Sequence, residues 1–138
     1  MNTPSSCRPR RVAITGLGVV APLGGSVQEL EANLLAGRSG VRLLPSPLRE
    51  QLHAPIAAPT DFDGAAHFPP PRLRMLDRVS QLALVAGGQA IADARLDLAR
   101  EDPERCGVAV GTGMGGAATT DAGYHVIYAE RSDRVPPY

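Results

Sequence analysis

The stretch VAVGTGMGGAATT, residues 108–120, decides which fold this chain is assigned to. Four glycines fall within six positions, directly after a short apolar run. Gly111, Gly113 and Gly116 match the pattern G-x-G-x-x-G, in which glycines let the backbone approach a pyrophosphate at the start of a helix. The stretch predicts a buried strand, a tight turn and a helix. The pattern alone leaves open whether the turn binds a nucleotide or serves close packing.

A second glycine turn follows the apolar run RVAIT, residues 11–15, which is predicted to be another buried strand. Here the spacing is Gly16-x-Gly18-x-x-Ala21, but Pro22 stands where the nucleotide-binding helix should run. Proline past the first turn of a helix costs about 3 kcal/mol, so this turn is expected to open a loop. The turn at 111–116 also lacks an acidic strand end about 20 residues later, which a ribose contact needs. The residues therefore count against a nucleotide-binding α/β module, which remains an alternative.

A capped helix is predicted after the first loop. Ser26 and Glu29 have the spacing of a capping box, and Gly37 is a typical residue for ending the helix. Residues 1–10 are expected to form a flexible leader. Residues 42–71 hold most of the prolines and are interpreted as an irregular surface insertion with one short strand near 55–58.

A longer helix is predicted after the insertion, with Asp77 or Ser80 as its cap. Its apolar and small residues fall at helical spacing, which predicts burial on much of its surface. The pair Gly87-Gly88 is expected to let another element pack closely. The order of elements (strand, helix, insertion, helix, strand, turn, helix) indicates a layered α/β fold.

Composition narrows the function classes. The 138 residues are 43% hydrophobic, and 14 basic residues balance 14 acidic ones, so no nucleic-acid partner is expected. Every basic residue is Arg, which excludes the P-loop because that motif needs Lys. No apolar run reaches 18 residues and the N-terminus lacks the features of a signal peptide, so we expect a cytoplasmic protein without a membrane segment.

The cysteines and histidines predict neither a disulfide nor a metal site. Cys7 lies in the leader, and Cys106 opens an apolar run, where a buried and inert thiol is expected. His53, His67 and His125 are far apart in sequence and are interpreted as surface or loop residues. No metal and no cofactor is therefore expected.

Three segments together resemble a known enzyme family more specifically than any single motif. RRVAITGLGVVAPLGGSVQELEANLLAGRSGV at 10–41, RMLDRVSQLALVAGGQAIADA at 74–94 and RCGVAVGTGMGG at 105–116 resemble, in the same order, β-ketoacyl-acyl-carrier-protein synthases of the KAS I/II type. RVPPY at 134–138 is similar to the family's next landmark.

The resemblance implies a thiolase-like layered α/β/α fold and a dimer. It also implies a decarboxylative Claisen condensation, in fatty acid or polyketide-type biosynthesis, between an acyl chain held on a cysteine and malonyl-acyl-carrier protein, with two histidines stabilising the developing charge.

The resemblance places this chain in the N-terminal part of the first half of that fold, residues 11–138. The chain has about a third of the usual length and lacks the segment that carries the nucleophilic cysteine. No catalytic residue is therefore assigned, and the chain alone is expected to be inactive and loosely folded or aggregating. A non-catalytic partner subunit, of the chain-length factor type, is the alternative within the same fold.

The resemblance also implies binding residues. Met114 occupies the position that lines the family's acyl pocket. Arg72, Arg74 and Arg134 match positions that approach the acidic carrier protein. Residues 136–138 are expected to enter the dimer-facing segment.

Overall fold

The computed structural model describes residues 11–44, 46–47 and 49–134. The leader at 1–10 and the segment at 136–138 lie outside the described residues. The α-helices are α1 (Val27–Leu35), α2 (Pro70–Leu73), α3 (Arg78–Asp93) and α4 (Ala117–Tyr124), which continues into a π-helical turn over His125–Ala129. The strands are β1 (Arg42–Leu43) and β2 (Ile56–Ala57), and short 3-10 turns lie at Arg49–Gln51, Gly64–Ala66, Leu98–Arg100 and Pro103–Arg105.

Helix α1 is capped as its sequence predicts. The Glu29 N–H donates to Ser26 Oγ at 3.2 Å, and Glu29 Oε2 accepts a hydrogen bond from the Gly25 N–H at 2.8 Å. The carboxylate therefore reaches one residue further back than in a standard capping box. After the helix, Gly37 has a φ of +65°, in the left-handed region that favours glycine. The predicted start and end are both confirmed.

Helix α3 is the support on which the first glycine loop rests. Of the two predicted caps, Asp77 is the one used, since Asp77 Oδ1 accepts from the Val79 N–H at 2.8 Å. The N–H of Leu17 donates to Asp93 Oδ2 at 2.9 Å, and the N–H of Val19 donates to Gln89 Oε1 at 2.9 Å. These bonds fasten the loop to the second half of α3.

The close packing on α3 involves small residues other than the predicted pair. A Cβ added at Gly16 or Gly18 would overlap backbone atoms of α3, at Ala90 and at Ala86 respectively. In contrast, among the described residues no atom lies within 4 Å of a Cβ added at Gly87 or Gly88, so the prediction for that pair is wrong there. The loop lies on a different face of the helix, where alanines leave room for it.

The proline-rich insertion contains one short antiparallel pair. Arg42 pairs with Ala57 and Leu43 with Ile56, and the N–H of Leu44 donates to the carbonyl of Pro55 at 2.8 Å. The strand expected near 55–58 is therefore confirmed.

The two predicted buried strands at 11–15 and 106–112 do not form strands in the described chain. Both segments lack pairing partners, and their side chains face solvent: Val12 is 90% exposed and Val108 93%. A buried strand needs neighbours on its edges and faces, because backbone N–H and carbonyl groups must be paired when they leave water. Cys106 is also exposed, so its predicted burial is wrong.

The interior of the described chain is small. Its buried residues are Phe68 and Gly64. No residue of α3 is fully buried, but one side of the helix is partly buried, in line with the predicted burial of much of its surface. The accessible surface is 11970 Å² for 14.4 kDa, whereas a compact monomer of this mass exposes about 6,800 Å². The chain therefore leaves uncovered a large area that a closed domain would bury. Within the described residues, no helix is long and apolar enough to cross a membrane.

Candidate functional site

The glycine turn at 111–116 connects an extended segment to α4. Gly116, the residue before the helix, has a φ of +79°, which an L side chain rarely adopts. A Cβ added at Gly115 would lie 2.8 Å from Thr112 Oγ1 and 3.1 Å from Val79 Cγ1. Glycine at these two positions lets the turn close against α3.

Asp77 joins the first turns of two helices. Besides capping α3, it accepts a hydrogen bond from the hydroxyl of Thr119 in the first turn of α4. These bonds lower the pKa of Asp77 below its usual value of 3.8, and the bond from Thr119 has a larger effect than the bond from the Val79 N–H. Asp77 thereby fixes where the glycine turn sits on α3. The cap could be predicted from sequence, but the bond to Thr119 could not, because it spans 42 positions.

An apolar cleft lies beside this turn. It has a volume of about 380 Å³ and is lined by residues of α3 and of the extended segment: Val79, Ser80, Ala83, Leu84, Val110 and Thr112. Met114 lies outside that lining and is 84% exposed. The described residues thus leave Met114 in solvent, two positions after Thr112 of the cleft lining.

The three predicted carrier-protein contacts are all exposed. Arg72 lies in α2 with its guanidinium 5.6 Å from the centre of the Phe68 ring, and Arg74 follows as the C-cap of that helix. Arg134 lies far along the chain, where its N–H donates to Ser132 Oγ at 3.3 Å. No hydrogen bond, ion pair or ring contact between described residues joins Arg134 to the other two. Arg72 and Arg74 are thus close in sequence at the end of α2, and the described contacts do not bring the three arginines into one cluster.

Arg78 has a positioning role that sequence reasoning missed. Its guanidinium donates to the carbonyls of Phe62 at 3.1 Å and Thr60 at 3.3 Å and lies 5.3 Å from the centre of the Phe62 ring. The Phe62 ring also stacks on His67, with centroids 5.2 Å apart. This cluster fastens the end of the insertion to the start of α3. An arginine in the first turn of a helix gives no sequence signal of such partners.

A larger open cleft of about 580 Å³ lies between the loop at 20–25, α1 and residues 60–67. Its carboxylates already accept hydrogen bonds within the chain: Glu29 from the Gly25 N–H, Asp63 from the Ala65 N–H and Asp61 from Arg42. In the part of the chain that is described, no three His, Cys, Asp or Glu side chains are grouped so as to hold a metal ion. The carboxylates that line the cleft therefore serve to hold the loop at 20–25 and the insertion in place.

Residues 9–135 match the family described as "Beta-ketoacyl synthase, N-terminal domain". The chain belongs to this β-ketoacyl synthase family. The resemblance predicted from the three ordered segments is confirmed. The turn at 111–116 lies inside the match, which counts against its interpretation as a dinucleotide fingerprint.

Relatives of two kinds are similar to this β-ketoacyl synthase segment. A putative polyketide beta-ketoacyl synthase 1 of Streptomyces halstedii is 42% identical over 91% of this chain and 30% of its own length. The 3-oxoacyl-[acyl-carrier-protein] synthase 2 of Coxiella burnetii is 35% identical over 94% of this chain and 31% of its own length. The chain thus spans just under a third of these relatives.

A solved structure supports the same fold assignment. A beta-ketoacyl synthase from Burkholderia phymatum superposes with a TM-score of 0.69 at 34% identity, covering 88% of this chain and 30% of that one. The chain therefore carries the N-terminal part of the thiolase-like fold, as predicted. The helices and the insertion follow the predicted order, whereas the two predicted buried strands do not form in the residues described here, whose sheet consists of β1 and β2.

Proposed function

We propose that this chain is the N-terminal portion of a β-ketoacyl-acyl-carrier-protein synthase that acts in fatty acid or polyketide-type biosynthesis. The observation that carries the proposal is the family match over residues 9–135, together with relatives whose names are those of such synthases. A non-catalytic partner of the chain-length factor type would share this portion, but no contact in the described chain favours it.

The reaction is a decarboxylating Claisen condensation. The bond between the malonyl methylene carbon and its carboxylate breaks, which releases carbon dioxide and leaves a carbanion. The carbanion attacks the carbonyl of the acyl thioester on the enzyme's cysteine. A carbon–carbon bond forms, the carbon–sulfur bond breaks, and the thiolate leaves. We assign neither Cys106 nor any of the three histidines to this chemistry, so the nucleophile and both histidines belong to the remainder of the synthase.

This portion would contribute contacts to the carrier protein and one wall of the acyl pocket. Met114, at the tip of the glycine turn, would form one wall of the acyl pocket, because a flexible thioether side chain adapts to a hydrocarbon. With 84% of its surface exposed here, its other contacts would come from the remainder of the synthase. Arg72, Arg74 and Arg134 would meet the acidic carrier protein, and the complete protein would act as a homodimer or heterodimer.

The proposed organisation has a leader at 1–10, the synthase portion at 11–138 and the insertion at 42–71. Two contacts support treating the insertion as part of the same unit. Arg42 at its start forms an ion pair with Asp61, and Arg78 of α3 holds the carbonyl of Phe62. The start of the insertion is therefore tied to Asp61, and the neighbouring Phe62 is tied to the helix.

A chimera tests the proposal. In this chimera, the chain replaces the matched 31% of the Coxiella burnetii synthase and is joined covalently to the rest of that enzyme. Release of carbon dioxide from malonyl-carrier protein in the presence of acyl-carrier protein measures condensation. The chimera should be active, and the isolated chain should give no product. A chimera with a cooperative melt but no condensation would contradict the proposal, as would activity of the isolated chain.

Met114→Trp in the chimera tests the acyl-pocket role. A larger side chain should shorten the acyl chains accepted, seen as lower kcat/KM for long acyl groups and unchanged kcat/KM for short ones. Leu35→Trp is the matched control, because Leu35 is 83% exposed but lies at the end of α1. Equal effects at the two positions would remove Met114 from the pocket.

A further inference from the structure

Met114 lies on a stretch of backbone that is free to move unless it is held from outside. Its neighbours are Gly113 and Gly115, and glycine has more backbone freedom than any other residue. No described atom lies within 4 Å of a Cβ added at Gly113, and the Met114 side chain is 84% exposed. The position of Met114 therefore depends on the contacts that fix the turn before and after it.

After Met114, the turn is fixed through the start of α4. Gly116 is the N-cap of α4 and has no side chain to cap it. Three residues later, the hydroxyl of Thr119 donates to Asp77 Oδ2, while Asp77 Oδ1 accepts from the Val79 N–H at 2.8 Å and caps α3. A carboxylate is favoured near the positive N-terminal end of a helix, and this carboxylate serves the first turns of two. Asp77 therefore joins the start of α4 to the start of α3.

The backbone of the turn also contacts the start of α3. A Cβ added at Gly115 would lie 3.1 Å from Val79 Cγ1 and 2.8 Å from Thr112 Oγ1. Thr112 and Val79 line the same apolar cleft. The turn is therefore in contact with α3 or its neighbours on both sides of Met114.

The bond to Asp77 distinguishes Thr119 from the threonine beside it. Thr119 and Thr120 are both exposed residues of α4. Among the described residues, the hydroxyl of Thr119 has Asp77 as its partner, and the hydroxyl of Thr120 has no hydrogen bond. Asp77 takes part in neither of the ion pairs that the described residues form. The tie between the two helices therefore depends on a single hydroxyl.

We propose that Asp77 and Thr119 are positioning residues for acyl-chain selection, because their hydrogen bond fixes where the glycine turn presents Met114. Without this bond, the glycines on both sides let Met114 move away from the acyl chain, and longer chains are accepted. The inference rests on the proposed function for the role of Met114. It adds two residues that touch no substrate and control selectivity through the turn.

The test uses Thr119→Val in the chimera, because valine has the shape of threonine and lacks the hydroxyl. We measure kcat/KM with acyl-carrier proteins of increasing saturated chain length. The fall in kcat/KM between the longest accepted and the first rejected chain should shrink at least about 5-fold, out of the about 10- to 200-fold that one methylene is worth in a hydrophobic pocket. A merely structural loss would lower kcat/KM equally at every chain length and would overturn the inference.

Two matched variants isolate the hydroxyl. Thr120→Val makes the same substitution one residue away in the same helix and should keep the discrimination between chain lengths of the parent chimera. Thr119→Ser retains the hydroxyl and should keep it as well. Equal losses of discrimination in Thr119→Val and Thr120→Val would overturn the inference, as would a Thr119→Ser variant that behaves like Thr119→Val.

A second background tests whether Thr119 acts through Met114. In Met114→Ala, the side chain to be positioned is gone, so Thr119→Val should change the discrimination between chain lengths much less than it does beside Met114. The same change in both backgrounds would show that Thr119 acts by another route and would overturn the inference.

Hydrogen–deuterium exchange gives a readout that does not require activity. In the chimera, the amides of residues 113–116 should exchange at least about 5-fold faster with Thr119→Val than in the parent, and Thr120→Val should leave them unchanged. Equal rates in Thr119→Val and the parent would overturn the inference, whether or not the chimera is active.

Failure of this inference is distinguishable from failure of the proposed function. A parent chimera with a cooperative melt and no condensation would contradict the proposed function. An active parent chimera whose Thr119→Val variant keeps the discrimination between chain lengths would overturn the inference and leave the proposed function in place.

Discussion

The two glycine turns of this chain have similar sequences but different surroundings. In the first, Gly16 and Gly18 lie so close to α3 that an added Cβ would overlap backbone of the helix. In the second, no described atom lies within 4 Å of a Cβ added at Gly111 or Gly113, and the turn approaches α3 at Gly115 instead. The paired glycines G-x-G thus serve close packing in the first turn but not in the second. A glycine pattern identifies a turn, but its role depends on what the rest of the fold brings to it.

The largest expected effect concerns the packed turn. Gly18→Ala places a methyl group against the carbonyl oxygen of Ala86, so the loop must move off α3 at a cost of about 3 kcal/mol. In the isolated chain, the amides of Leu17 and Val19, which donate hydrogen bonds to α3, should lose most of their protection from hydrogen exchange. Gly113→Ala is the control and should leave those amides unchanged. Equal losses of protection in the two variants would show that the two turns do not differ in how closely they pack.

The next effect concerns the side chain that holds both ends of the first loop. Gln89 accepts from the Val19 N–H and donates to the carbonyl of Gly25 at 2.7 Å. Gln89→Leu leaves both backbone groups without this partner and should cost about 2 kcal/mol. Urea unfolding, followed by circular dichroism at 222 nm, measures the change in the free energy of unfolding. Gln89→Glu keeps an acceptor for the Val19 N–H but loses the donor to the Gly25 carbonyl, so it should cost less stability than Gln89→Leu. A larger loss of stability with Glu than with Leu would contradict this account.

These two predictions show what the sequence could and could not reveal. The caps at Ser26 and Asp77 and the stop at Gly37 were predictable because their partners lie within a few residues. The anchor at Gln89 pairs with groups 64 and 70 positions away, and no local pattern records such a distance. The segment at 11–15 was predicted as a buried strand from its own composition, but burial depends on neighbours that the described chain does not supply.

The candidate site divides in the same way. The resemblance in three ordered segments predicted the family, and the match confirms it. The roles of Met114, Arg72, Arg74 and Arg134 stay predictions, because an exposed side chain in an uncovered portion does not reveal what it will contact. Asp77 and Arg78, which position the turn and the insertion on α3, were recognisable only once the helices were placed together.

A smaller effect is expected for the link between α3 and α4. Asp77→Ala removes the cap of α3 and the partner of Thr119, at a cost of about 1 kcal/mol. Because the hydrogen bonds lower the folded-state pKa of Asp77, its contribution is complete above the ordinary value of 3.8 and is lost as pH falls through the lower folded value.

Helicity measured from pH 7 to pH 2 checks the Asp77 prediction. Asp61 also has a lowered pKa, owing first to its hydrogen bond with Arg42 and then to the charge of Arg42, so the wild-type chain titrates at both sites. The informative quantity is the difference between wild type and Asp77→Asn, since the amide still caps the helix but does not titrate. The advantage of wild type should grow as pH rises from 2 to 7, and an advantage that shrinks as pH rises would have the wrong sign.

The smallest effect is expected at the ion pair of the insertion. Arg42 and Asp61 are both exposed, so water and salt weaken their attraction, and Arg42→Ala should cost less stability than any of the substitutions above. The urea midpoint should change little and still less at 1 M salt. A cost as large as that of Gly18→Ala would mean that the insertion, rather than the first glycine loop, holds the described structure together.

The most direct test of the central claim compares hydrogen–deuterium exchange in the isolated chain and in the chimera. The claim is that this portion of a β-ketoacyl synthase leaves residues 11–15 and 107–111 uncovered until the rest of the fold is present. These amides should exchange freely in the isolated chain and at least about 100-fold more slowly in the chimera. Equal exchange rates in the two proteins would contradict it, whether the amides exchange fast in both or slowly in both.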